Sequence, residues 1–367
     1  MLDNWLYPVA IDEHFDRLKS VSKNQFGKRI SIYCDHIPDL GKTKIALIGV
    51  HTAAANAVRK ALYQLHYPFN ALPIADLGNI RRNSIEFISP LINELLKGNI
   101  LPILIGSDPG YTQAQYLAYL PEKDWLNLTV VDQKIRFEPT PTEDGFLNEI
   151  IHHDKQNLFN LCFLAFQSHF TPRSTLDWLD DHYFNYARLG NFRPSVEAVE
   201  PFIRNADLMS FHLSALRYAE ASAQLDASPS GLFIEEACQV SRYAGLSDKL
   251  SSIGFYGYDP GKDDNGQSAQ VMALLIWYFI YGYSQRKEDY PVNTDGLVEY
   301  VVDFKGKETQ LTFWKSTKSG RWWMQVPLKV KDQRQRHRLV PCTYNDYQQA
   351  CQQQISDRLF QAYHRFS

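Results

Sequence analysis

Apolar residues fall into short unbroken runs over the first 290 positions. Seven stand out: Lys44–Val50 (KIALIGV), Ala71–Asp76, Ile100–Gly106 (ILPILIG), Asn127–Asp132 (NLTVVD), Asn160–Phe166 (NLCFLAF), Asp207–Leu213 (DLMSFHL) and Ser251–Tyr256. Most lack polar alternation, as expected of strands covered on both faces. Between them the spacing turns helical, over Ala53–Leu65, Ser84–Lys97, Pro194–Arg204, Ile234–Tyr243 and Gln267–Tyr283. Ser84 can cap its helix, although Phe87 holds the position where a capping acid would sit, Glu86 comes one residue early, and Gly98 stops the helix. Strand and helix alternating over this length predict a mainly parallel sheet with helices on both faces. In such sheets chemistry gathers just beyond the carboxyl ends of the strands.

After Gly282 the pattern changes. Gln285–Pro291 (QRKEDYP) is a polar joint, followed by period-2 runs at Leu297–Phe304, Gln310–Lys315 and Arg321–Val326. Lys305-Gly306-Lys307 and Lys318-Ser319-Gly320 suit hairpin turns between them. A polar stretch, Lys329–Arg338, leads to a final helix over Tyr344–Tyr363. The expectation is an α/β domain over 1–290 and an appended β-meander with a helix over 291–367. Trp322 and Trp323 are neighbours, so in a strand they face opposite sides. One can fill the small core while the other packs on the first domain; a partner-binding face is the competing reading.

Composition narrows the class. The 367 residues carry 38 Lys plus Arg against 41 Asp plus Glu, a formal charge of −3, too near neutral to suggest a polyanion partner. The tail from 291 holds 12 basic and 7 acidic residues, and Lys329–Arg338 (KVKDQRQRHR) is its most basic part. No aromatic platform interleaves that stretch, so a solvated loop is expected rather than a nucleic-acid contact. The longest apolar run, Val271–Tyr283, has 13 residues. A membrane-spanning helix needs about 20, so a buried core helix is expected there and no membrane partner. The start, MLDNWLYPVAIDEHFDRLK, has acids and no apolar core of a secretory signal. Five scattered cysteines (Cys34, Cys162, Cys238, Cys342, Cys351) form no CxxC pair, which fits reduced thiols in a cytoplasm. His152-His153-Asp154 read as a solvated turn.

Three strand-end segments carry the strongest signal. ILPILIGSDPGYTQAQYL holds Gly106-Ser107-Asp108-Pro109; LTVVDQKIRFEPT holds Asp132-Gln133-Lys134-Ile135-Arg136; ADLMSFHLSALRYAE holds Ser210-Phe211-His212-Leu213-Ser214 and Arg217. In order, spacing and preceding strands these resemble the ureohydrolase family of arginase, agmatinase and formimidoylglutamase. The corresponding family motifs are Gly-Gly-Asp-His, Asp-Ala-His-x-Asp and Ser-Phe-Asp-x-Asp followed by Asp-Pro. Ile74-Ala75-Asp76-Leu77-Gly78-Asn79 is similar to a further family stretch, Asp-x-Gly-Asp. The resemblance covers roughly residues 44–283. It implies a three-layer α/β/α arginase-like fold, a site with two manganese ions bridged by hydroxide, and homo-oligomers, often trimers or hexamers.

Position by position, this chain departs from the family. The first motif's histidine is Pro109; the second keeps Asp132 but has Lys134 for its histidine and Arg136 for its last aspartate; the third has His212 and Ser214 for both aspartates. The late family glutamate that grips the substrate guanidinium falls at Gly257 in GFYGYDP. Two manganese ions need hard, mostly anionic donors. Two like unit charges about 4 Å apart repel by roughly 4 kcal/mol at an effective dielectric of 20, so Lys134 and Arg136 would oppose a divalent ion. No cofactor is therefore expected.

Three readings of the pocket follow. Lys134 and Arg136 can satisfy Asp132 and Asp108 as internal ion pairs. Alternatively Lys134, Arg136, Arg217 and His212 form a cationic pocket for an anionic metabolite or a partner's acidic residue. The third is a displaced single-metal site of Asp108, Asp132 and His212. The leading expectation is a non-catalytic scaffold, regulatory or ligand-sensing protein; the competing one is a hydrolase of amidine C–N bonds with a rebuilt site.

Overall fold

A computed structural model describes residues 4–10, 22–137, 139, 145–155, 157–192, 195–291, 293–304, 310–327 and 339–366. The Lys305-Gly306-Lys307 turn and the basic stretch 329–338 lie outside the described residues, as does most of the N-terminal segment. Among the described residues ten strands make the main sheet: β1 (Leu6–Tyr7), β2 (Ser31–Ile32), β3 (Ile45–Gly49), β4 (Ile74–Ile80), β5 (Leu101–Ile105), β6 (Leu126–Val131), β7 (Leu158–Phe166), β8 (Asn185–Arg188), β9 (Leu208–His212) and β10 (Ser252–Tyr256). Their order is β1-β4-β3-β5-β10-β9-β6-β7-β8, with β2 beside β4; all pairings are parallel except that of β1. All seven runs became strands.

The absence of alternation is explained by burial on both faces. Leu47, Ile103, Phe211 and Phe255 pack into one apolar layer with helices Thr52–Leu62, Ile234–Leu246 and Gln267–Tyr283. Ile48, Leu104 and Tyr256 point the other way, into a layer with helices Ile85–Lys97 and Tyr111–Tyr119. Ser84 Oγ accepts from Phe87 N at 3.2 Å, so the capping works without a matching acid. Among the described residues no helix is long and apolar enough to cross a membrane.

Boundaries moved where polar groups or proline intervene. The Pro194–Arg204 helix is a 3-10 turn (Val196–Val199) and a short α-helix (Glu200–Arg204), because Pro201 is tolerated only in a first turn. The Ala71–Asp76 strand runs instead over β4, since Asn70 and Ala71 adopt positive φ (46° and 60°) in a turn. The final helix is two, Tyr344–Cys351 and Asp357–Phe366, separated at Gln353 by a φ of +65°.

The tail forms an antiparallel sheet of β11 (Leu297–Asp303), β12 (Gln310–Ser316), β13 (Trp322–Gln325) and β14 (Leu339–Cys342). The last of these had no period-2 signal. Trp322 joins this unit's own apolar cluster and stacks on Tyr347 with ring centres 5.1 Å apart. Trp323 lies on the opposite face beneath the Arg204 guanidinium, 4.5 Å from the ring centre. Arg204 Nη2 also donates to the carbonyls of Trp322 (3.1 Å) and Cys342 (3.2 Å). Docking on the first unit is thus the use of that face. At the far edge Arg365 Nη1 donates to Asn160 Oδ1, Tyr183 O and Asn185 Oδ1 at 2.7–2.8 Å. Arg204→Ala is expected to lower stability by about 2 kcal/mol, the scale of hydrogen bonds made by a charged donor. A loss below about 0.5 kcal/mol in urea melts would remove Arg204 as the clamp.

Candidate functional site

The site lies where the sheet reverses strand order, at the carboxyl ends of β5, β10, β9 and β6. Asp132 follows β6 directly and is 1% exposed. Burial pushes its carboxyl pKa up, but His212, Arg136 and Ser214 outweigh that and hold it well below the usual carboxylate range. The donors are close: Arg136 Nε at 2.6 Å and His212 Nδ1 at 2.9 Å from Oδ2, and Ser214 Oγ at 2.6 Å from Oδ1. His212 ends β9, and Ser214 sits in the 3-10 turn after it, so one strand end supplies both.

A Ser–His–Asp relay runs inward from this carboxylate. His212 Nδ1 faces Asp132, and Ser210 Oγ is 3.1 Å from His212 Nε2 and 2.7 Å from Thr112 Oγ1. In the neutral tautomer Nδ1–H donates to Asp132, and Nε2 accepts from Ser210. Ser210 is fully buried on the strand, so no substrate carbonyl can reach it as in a hydrolase triad.

The outward side is an ion chain. Arg136 reaches from Asp132 to a second carboxylate, Asp226, with Nη1 2.8 Å from Oδ2; Lys134 Nζ is 3.6 Å from the same oxygen. Burial lowers the Arg136 pKa, but the two aspartates more than restore it. Burial likewise raises Asp226, yet Arg136 and Lys134 leave it below its ordinary value. Lys134 Nζ also lies 5.3 Å from the Phe170 ring centre, and Phe146 faces His212 at 6.1 Å.

Of the residues singled out in the sequence, Asp132, Lys134, Arg136, His212 and Ser214 meet here. Asp108 does not: it is exposed, and its Oδ1 accepts from Gly110 N at 2.8 Å within its own turn. The expectation that Lys134 and Arg136 neutralise a buried Asp108 is therefore corrected. Arg217 turns to Glu220 (2.6 Å) and over the Phe233 ring, 4.0 Å from its centre, because a nearby acid three residues on offers a local partner. Pro109 stays in the Asp108 turn. Gly257, at the end of β10, has φ +85°, a conformation that favours glycine over a side chain such as glutamate. His153 accepts from Lys155 N in an exposed turn.

Sequence reasoning missed Asp226, which lies in a loop (Leu225-Asp226-Ala227-Ser228-Pro229-Ser230) with no motif. Its only signal was a deficit: two cations against one retained aspartate call for a second carboxylate.

Against a manganese pair the donor set does not fit. Asp132 offers two oxygens that already accept from three side chains, and two cations stand where further anionic donors would be required. Among the described residues no group of three or more His, Cys, Asp or Glu could hold a metal ion.

No family model matches the chain. It is 24% identical over 224 residues to a formimidoylglutamase of Staphylococcus haemolyticus, covering 56% of this chain and 71% of that protein. The structure is similar to formimidoylglutamase from Bacillus subtilis, with a TM-score of 0.61, 15% identity, and coverage of 74% and 99% of the two chains. It is similar also to Trypanosoma cruzi formiminoglutamase with Mn2+ (TM-score 0.60, 16% identity, 68% and 100% covered). Agmatine ureohydrolase of Thermoplasma volcanium gives a TM-score of 0.54 at 13% identity over 73% and 97%. The sequence relationship and the shared arginase-like fold support membership of the ureohydrolase family.

Proposed function

We propose that this protein is a non-catalytic ureohydrolase-fold protein of the cytoplasm, a scaffold, regulator or ligand sensor in which protein cations replace the two manganese ions. Residues 1–290 form the inherited unit and 291–367 the appended one. The observation that carries this reading is the saturation of Asp132, the one aspartate retained from the family's ligands, by Arg136, His212 and Ser214. A divalent ion would have to displace the Arg136 guanidinium and stand beside Lys134, at a repulsion of roughly 4 kcal/mol per unit charge pair about 4 Å apart. Pairing between protein groups instead leaves Asp132 hydrogen-bonded and neutralised, which a buried carboxylate requires.

The deciding measurement is metal analysis of protein purified with excess manganese. Well under one ion per chain is expected; two tightly bound ions would overturn the reading. The combined variant Pro109→His, Lys134→His, Arg136→Asp, His212→Asp and Ser214→Asp is expected to take up manganese, and a folded variant that takes up none would refute the motif assignment. The likeness to formimidoylglutamases supports the competing reading, a hydrolase of amidine C–N bonds. Manganese-dependent turnover of formimidoylglutamate by the wild-type chain would establish that reading.

A further inference from the structure

We propose that Lys134 and Arg136 form a binding site for the oxyanion of a small metabolite, a carboxylate or a phosphate, and that Asp226 is a built-in occupant which such a ligand displaces. This rests on the reading that cations have taken the place of the metals.

The two ends of Arg136 are held differently. Its Nε is bound to Asp132, which is 1% exposed, and that bond fixes the guanidinium plane. Its Nη1 points outward to Asp226, which is 35% exposed. The ammonium of Lys134 converges on the same Asp226 oxygen. Half a guanidinium fork and an ammonium on one carboxylate oxygen is an oxyanion-binding arrangement, and here a protein side chain fills it.

The loop does not need that carboxylate to stay in place. Gln133 Nε2 donates to Asp226 O at 2.6 Å, and Gln167 Nε2 donates to Ser230 O at 2.8 Å. Leu225 N donates to Gly257 O at 3.0 Å, and Tyr218 N donates to Ser228 O at 2.6 Å. Gln133 and Gln167 are buried, so these anchors are shielded from water. The backbone frame therefore persists when the Asp226 side chain rotates out or is replaced, and the pair Lys134–Arg136 is left facing solvent. Phe170, half-exposed beneath the Lys134 ammonium, offers an apolar lip for the organic part of a ligand.

Charge explains both the plug and its release. With Asp226 in place, Lys134 and Arg136 are balanced by two aspartates; with it displaced, one positive charge is unmatched and attracts an anion. A tethered carboxylate competes at an effective concentration of at least about millimolar, so the wild-type chain binds weakly and removal of the tether tightens binding.

The test titrates full-length wild type, Asp226→Ser and Asp226→Asn with malonate and with inorganic phosphate by calorimetry. Both variants are expected to bind at least one probe about tenfold more tightly than wild type or better, because the internal competitor is gone. Adding Arg136→Gln to Asp226→Ser should abolish the gain. Preference for malonate assigns a carboxylate ligand, and preference for phosphate a phosphorylated one. Equal affinity of wild type and both variants for both probes, with circular dichroism showing them folded, would overturn the proposal. Metal analysis of the same samples keeps the two ideas apart. Bound manganese refutes the loss of the metal site, whereas metal-free protein with no gain in anion binding refutes only the oxyanion site.

Discussion

Asp132→Ala is expected to destabilise the folded chain by about 3 kcal/mol at neutral pH, near the lower end of what breaking a buried ion pair costs. The lower end applies because Arg136 is 30% exposed and keeps Asp226, whereas His212 and Ser214 lose their acceptor in a buried place. The pH dependence has a definite sign. The Asp132 pKa is depressed in the folded state, so its contribution is fully present above the unfolded value of about 3.9 and is lost as pH falls through the folded value. The difference in unfolding free energy between wild type and variant should therefore shrink as pH falls below about 4. Urea melts at several pH values measure it. A difference that widens below about pH 4, or one below about 1 kcal/mol at pH 7, would mean that Asp132 is not the charged hub of the site.

This hub was legible in the sequence because a strand end fixes geometry. Asp132 follows a run, NLTVVD, whose burial on both faces leaves one direction for the chain to leave the sheet, and the same holds for His212 after LMSF. Residues within a few positions of those ends, Lys134, Arg136 and Ser214, meet for the same reason. Arg217 lies farther along and found a local acid instead, which spacing alone cannot foresee. Asp226 was invisible because its position depends on a bond from Gln133, just past β6, across 93 residues of sequence.

Fold-level misses have the same origin. Asn185–Arg188 is a four-residue edge strand, and an edge strand buried on fewer sides shows little hydrophobic run. Helix Tyr111–Tyr119 carries buried Thr112 and Gln115, which bond to Ser210, Ser252 and Tyr256 across the layer, so its buried face reads as polar. The Asp76-Leu77-Gly78-Asn79 segment looked like the end of a strand but is its centre. A turn-like composition was kept inside the sheet by a partner that local sequence does not show.

That partner makes the other large prediction. Arg59, fully buried in helix Thr52–Leu62, binds Asp76 through Nε (2.8 Å) and Nη2 (2.9 Å), and also reaches Asn79 Oδ1 and Gly78 O at 2.7 Å. Tyr63 Oη and Gly78 N donate to the same Asp76 carboxylate. Burial lowers the Arg59 pKa, but Asp76 more than restores it. Asp76→Ala should cost about 3–5 kcal/mol, since it leaves a guanidinium in the core with no counter-charge. A paired apolar replacement, Arg59→Met with Asp76→Leu, should recover at least about half of that loss, because desolvation of both charges is relieved together. The double variant also frees the Asn79 and Gly78 acceptors, which keeps full recovery out of reach. Thermal and urea melts of the three proteins decide it. If the double variant is as unstable as Asp76→Ala, the pair holds β4 through its hydrogen bonds and not through mutual neutralisation. If Asp76→Ala costs less than about 1 kcal/mol, water enters to solvate Arg59 and this part of the sheet is not sealed.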